Sequence, residues 1–223
     1  MKLYYHPISS TCRPVLLFAA ESGLPLELHL VDLFTGEQYQ PPYEAINPNH
    51  LVPVLEDGDF RLTESSAILK YLADKTGSSL YPQELRQRAR VNERMDWINT
   101  QLSRDLAYGT VYPQIFSFHK RRSDEAQQST LQWGVERARG WMKVLDEHIL
   151  GANAYLCGDG LTIADYQASS FVALTEIVGT DLAAYPNVKQ WLGRMKALKS
   201  WKQVNEVIDS YAATLKGQPM LAV

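Results

Sequence analysis

The first thirty residues constrain the fold most. Lys2 to Tyr5 reads as a strand, and Arg13 to Ser22 carries Val15, Leu16, Ala19 and Ala20 at helical spacing. Leu26 to Val31 then alternates Leu26, Leu28 and Leu30 against Glu27, His29 and Val31, a strand with one strongly apolar face. Gly23 supplies the left-handed stop between helix and second strand. Strand, helix and strand in so few residues make a βαβ unit, so the two strands are parallel.

Within that unit the first strand breaks at His6-Pro7 and the helix begins around Cys12, which sets Ser9, Ser10 and Thr11 at a helix N-terminus. Unpaired N–H groups and the positive end of the helix dipole gather there, so an anion such as a thiolate or carboxylate is welcome. A second reading is an N-cap and nothing more, worth about 1 kcal/mol.

Further along, Asp32 to Asn49 is rich in Gly, Pro, Asn and Gln and reads as an exposed loop with at most a short helix from Tyr43 to Ile46. Leu51 to Glu56 and Phe60 to Thr63 form a hairpin across Asp57-Gly58-Asp59. Pro53 near the start of its first strand calls for a special bend, and a cis Val52-Pro53 bond is one way to make it. Thr63-Glu64-Ser65-Ser66 then opens a helix that ends at Gly77, a second strand-to-helix junction with hydroxyls and a carboxylate at its mouth. Capping again explains Ser65 or Ser66 adequately.

After Tyr81-Pro82 only helical periodicity remains. Helices are expected at about Arg86 to Phe118, Asp124 to Leu150, Thr162 to Val178, Val188 to Met195 and Trp201 to Leu215. Thr162 and Asp165 have capping-box spacing ahead of a largely apolar helix, expected to be the buried centre of this half. The fold class is therefore an α/β domain, residues 1–79 (βαβ, then ββα), followed by an all-α domain, residues 86–223.

With 22 basic and 25 acidic residues the net charge is −3, which leaves no electrostatic footprint for nucleic acid. No window of the sequence approaches 18 apolar residues, so no membrane-spanning segment is expected. MKLYYHP falls short of a signal-peptide core. The two cysteines, Cys12 and Cys157, form no disulfide framework and fit a reducing cytoplasm. No Cys, His and carboxylate cluster has metal-ligand spacing.

Four motifs, YYHPISSTCR, INPNHLVPVLED, LTESSAILKYLADKTG and YLCGDGLTIADY, together with the two-domain order, make the chain resemble the cytosolic glutathione transferases over nearly its whole length. The resemblance implies a thioredoxin-like first domain that binds glutathione as co-substrate without a metal, a helical second domain with an electrophile pocket, and a cytoplasmic homodimer. The N-terminal motif looks most like the delta and theta classes, whose serine three residues before the Cys-Arg pair stabilises the glutathione thiolate; that residue is Ser9. Ser10 stands where bacterial beta-class chains carry cysteine, and shares or replaces that role in the alternative reading.

By the same resemblance the Val52 backbone pairs with the cysteinyl part of glutathione, with Pro53 in cis. Glu64 takes the γ-glutamyl ammonium and Ser65 its carboxylate. His50 approaches the cysteinyl or glycyl part, and Gln38 the glycyl carboxylate. Tyr108, Tyr112 and Phe116, spaced i, i+4 and i+8, are an aromatic stripe that either packs in the core or faces the hydrophobic substrate. Arg13 is expected to tie domains or subunits together, and Cys12 to be a small packed residue. The implied activity is conjugation of the glutathione thiolate to small hydrophobic electrophiles. Peroxide reduction or dehalogenation at the same site and a non-catalytic binding protein on the same fold are the alternatives.

Overall fold

The computed structural model describes residues 1–223. Its first part runs β1 (Lys2–Tyr5), α1 (Cys12–Glu21), β2 (Glu27–Leu30), α2 (Pro41–Glu44), β3 (Val54–Asp57), β4 (Phe60–Leu62) and α3 (Ser65–Lys75). The four strands lie in the order β2-β1-β3-β4. β1 is parallel to β2, with Leu3 opposite Leu28, and antiparallel to β3, with Leu3 opposite Leu55; β3 and β4 form the hairpin. This is the thioredoxin-like arrangement of βαβ followed by ββα.

Three local expectations shift. β3 starts at Val54, three residues after Leu51, because Pro53 has no N–H to give a ladder; the Val52-Pro53 bond is cis. The short helix forms at Pro41–Glu44 and not from Tyr43 to Ile46, behind a single 3₁₀ turn at Glu37–Tyr39, with its prolines in the first turn where missing N–H groups cost nothing. β2 is the edge of the sheet, so the apolar side of its alternation is not core: Leu28 and Leu30 are 49% and 53% exposed.

The second part is helical throughout. α4 (Leu85–Trp97) continues through two π-helical stretches, Ile98–Leu102 and Arg104–Val111, into α5 (Tyr112–Ile115). The expected helix to Phe118 therefore stops at Ile115. Phe116 turns extended, and its ring stacks on Phe118 and Tyr211 at 5.3 and 5.6 Å. α6 (Asp124–Val144) ends in another π-helical stretch, Leu145–Leu150. The backbone of α6 meets the Arg104–Val111 stretch at two glycines, where a Cβ built on Gly134 would stand 2.2 Å from the Gly109 carbonyl oxygen.

The helix expected from Thr162 to Val178 is two, α7 (Ile163–Val172) and α8 (Leu174–Ile177), because the Thr175 hydroxyl donates to the Val172 carbonyl at 2.7 Å and bends the chain there. α9 (Pro186–Lys196) and α10 (Trp201–Thr214) complete the chain's helices. Every residue of α7 is buried. Its capping box is present, and the Asp165 carboxylate also accepts from the Leu156 amide and the Trp191 indole, both at 2.9 Å.

One hydrophobic core runs from the sheet into the helices, so the two parts are packed as one body. Leu3, Phe18, Ile68 and Leu72 share it with Met95, Tyr166 and Trp191. Each large side chain so buried contributes about 1.5–3 kcal/mol. Arg13 joins the halves, as expected: its guanidinium donates to Asn205 Oδ1 at 2.6 Å and to the Ser170 carbonyl at 3.2 Å. No helix is long and apolar enough to cross a membrane.

Candidate active site

The tip of α1 sorts the three adjacent hydroxyls into different jobs. Ser9 is half-buried, and its Oγ accepts from the Thr11 and Cys12 amides, both at 3.3 Å. Thr11 Oγ1 donates its hydrogen to the Val52 carbonyl at 2.9 Å. The 2.9 Å contact between Ser9 and Thr11 is therefore carried by the Ser9 proton. With both lone pairs engaged, the Ser9 hydroxyl is left with a single movable donor at a helix N-terminus. Ser10 is 2% exposed, turned inward, and accepts from Arg13 Nη2 at 3.1 Å. Cys12 is fully buried, and burial pushes its thiol up to about 12, so it is packed and inert.

Thr11 also links this tip to the strand entry opposite. The Val52 carbonyl is held by Thr11, while the Val52 amide finds no acceptor in the protein. Val52, just ahead of β3, thus keeps a free backbone donor while its carbonyl is tied to the helix tip.

Two non-glycine residues adopt positive φ, His50 at 56° and Glu64 at 65°, and both stand among the residues singled out from the sequence. Each such conformation costs of order 1–3 kcal/mol and persists where surrounding structure imposes it. Glu64 precedes α3 and gives that helix no side-chain cap, so the amides of the first turn stay open around the buried Ser65 hydroxyl. The open amides suit a carboxylate, and the exposed Glu64 carboxylate beside them suits an ammonium. His50 Nδ1 donates to the Gln38 carbonyl at 2.9 Å, and its ring packs on Tyr39 at 5.3 Å. The Gln38 side chain is buried, and its Oε1 has no partner.

Of the aromatic stripe, only Tyr108 is open, at 44% exposure; Tyr112 and Phe116 are core residues at 8% and 6%. Burial raises the Tyr108 hydroxyl, and so does the Glu64 carboxylate ahead of α3. The Tyr112 hydroxyl faces Ser10. Around these rings lies a larger cluster that the periodicity did not reveal. His119 packs on Tyr108 and Tyr112 at 5.6 and 5.1 Å, and Phe34 meets Phe118 and Tyr211, both at 6.4 Å, and His6 at 5.5 Å. Phe34 and Phe118 are more than half exposed. Phe34 lies in the loop after β2 beside Leu33, and no spacing in that loop marked it as part of an aromatic cluster.

A thioredoxin-like sheet with an anion-ready helix tip, a carboxylate beside open amides at a second tip, and an aromatic wall from a helical domain defines a class of two-domain, thiol-binding proteins. Family models agree: residues 8–75 match the glutathione S-transferase N-terminal domain and residues 110–199 its C-terminal domain. Glutathione S-transferase theta-1 of Homo sapiens is 32% identical over 219 residues, covering 93% of this chain and 88% of the relative. A delta-class glutathione transferase of Nilaparvata lugens superposes with TM-score 0.79 at 34% identity, covering 96% of this chain and 98% of its own. A glutathione transferase homologue from Sulfitobacter, solved with bound glutathione, superposes with TM-score 0.78 at 25% identity over 92% and 97% of the two chains. The chain belongs to the glutathione S-transferase family.

Proposed function

We propose that the protein is a glutathione transferase of the serine type, cytoplasmic and homodimeric, in which residues 1–79 bind glutathione and residues 86–223 present the electrophile in detoxification. The observation that carries this reading is the Ser9 hydroxyl, with its two lone pairs held by amides and its one proton free to rotate from Thr11 toward an incoming sulfur. The burial of Ser10 favours Ser9 over its neighbour.

In this reading the Val52 amide pairs with the cysteinyl carbonyl of glutathione, beside Pro53. Ser65 and the open amides of α3 take the γ-glutamyl carboxylate, and Glu64 takes the ammonium. Gln38 and His50 serve the glycyl end. Tyr108 touches the electrophile, while Tyr112 and Phe116 form the floor beneath it. A free thiol titrates near 8.5, and lowering it by about two units requires about 2.7 kcal/mol in favour of the thiolate. One hydroxyl donor to an anion supplies about 1.5–3 kcal/mol and the helix tip a few tenths to one. The thiol proton leaves to solvent. The sulfur then attacks the electrophilic carbon, forming the S–C bond as the leaving group departs with its electron pair, and the two reactants are held together beforehand.

Turnover of a chlorinated dinitrobenzene with glutathione tests the reading. Wild type conjugates it, and an inactive wild type that binds no glutathione overturns the assignment.

A further inference from the structure

Arg13 is the one arginine or lysine buried in the core, and the site described above has no use for its charge. Its side chain is 1% exposed, and its three hydrogen bonds go to neutral oxygens: Asn205 Oδ1, Ser10 Oγ and the Ser170 carbonyl. Its Nε has no partner, and no carboxylate lies within ion-pair distance. A buried cation without a counter-ion is expensive to keep, and a tie between domains needs no charge. Burial lowers its pKa to about 10, so it remains a cation at neutral pH.

Its position gives the charge an outlet. Arg13 stands in the first turn of α1, and through Nη2 it holds the hydroxyl of Ser10, the residue next to Ser9. We infer that Arg13 is a positioning residue for the thiolate: its charge, with no carboxylate at ion-pair distance, reinforces the α1 dipole and lowers the pKa of glutathione sulfur bound beside Ser9. The inference rests on the serine-type reading above.

The groups facing Arg13 set the size of the effect. Cys12 on α1 and Tyr112 on α5 are neutral, because burial raises both. Asp209 on α10 lines with Arg13 a solvent-lined cavity of about 510 Å³, into which Glu176 of α8, Lys196 of α9 and Lys216 also face. Glu176 and Lys196 pair with each other, and Asp209 and Lys216 stand on the solvent side. The Asp209 carboxylate and the Arg13 cation act on each other, and the exposure of Asp209 lets water weaken that offset. A unit charge roughly 10 Å away across an effective dielectric of about 20 moves a pKa by about one unit.

The test separates charge from tether. Asn205→Asp places a carboxylate against Nη1, so the link between domains stays and the field is cancelled; Arg13→Gln removes both. Bound glutathione is titrated by its thiolate absorbance in each variant, with glutathione affinity measured by calorimetry alongside. The expected result is a thiol pKa raised by about half a unit or more in Asn205→Asp, and in Arg13→Gln where that variant folds. A folded Asn205→Asp that binds glutathione with an unmoved thiol pKa overturns the inference and leaves the serine-type reading standing. A wild-type protein that does not bind glutathione overturns the reading itself.

Discussion

A serine hydroxyl that already accepts two amide hydrogens has only its proton left to offer, and at Ser9 that proton rests on Thr11, whose own is spent on Val52. Turning it toward a thiolate exchanges a neutral bond for a charge-assisted one, about twice as strong. Ser9→Ala is therefore expected to lower kcat/KM for conjugation by about 10- to 100-fold at neutral pH. Because a lowered thiol pKa keeps the nucleophile ionised down to that pKa, the variant's acid limb moves to higher pH. Rate profiles against pH check this, and a Ser9→Ala profile that overlays wild type contradicts it. Ser9 was legible as one of three hydroxyls before a helix. Which of the three faces outward was not, because Ser10 is taken inward by Arg13, a partner fixed only when α1 packs against α7 and α10.

Among the elements, α3 forgoes local stability at its start, where the proposed reading seats the γ-glutamyl end of glutathione. Glu64 occupies positive φ with an exposed carboxylate and leaves its helix uncapped. In Glu64→Gly the conformation is relaxed, less the entropy glycine loses on folding, so stability rises by about 1 kcal/mol. Lost pairing with an ammonium raises the KM for glutathione about tenfold or more. Thermal melts and initial rates read the two effects, and a variant that melts lower with unchanged KM contradicts both. The crossing of α6 with the Arg104–Val111 stretch is limited by backbone contact: Gly134→Ala is expected to cost about 2–3 kcal/mol, seen as a lower urea midpoint, since Gly109 cannot yield. Neither the π-helical stretches nor that glycine contact was legible, because the sequence there keeps ordinary helical periodicity. The βαβ order, the hairpin and the capping box were legible because each depends on neighbours in sequence. The aromatic wall was only partly so: Tyr108 lies on a helix face, whereas Phe34, Phe118, His119 and Tyr211 meet through the closing of two domains.

Across the whole molecule, α7 is the element on which both halves rest, and Asp165 fixes its start. Truncating Asp165 to alanine strands the Leu156 and Thr162 amides and the Trp191 indole in the core. A loss of about 3–5 kcal/mol follows, a large share of a domain's stability, visible as insoluble or poorly folded protein by circular dichroism. Two halves locked in this way hold the α1 tip, the Val52 edge and the α3 tip in fixed relation, and the proposed chemistry needs little more than that geometry and one hydroxyl. A crystal structure with glutathione bound tests this most directly. The tripeptide's sulfur is predicted within hydrogen-bonding distance of Ser9 Oγ, with its ammonium at Glu64; a sulfur seated elsewhere, or no tripeptide at saturating concentration, contradicts the account.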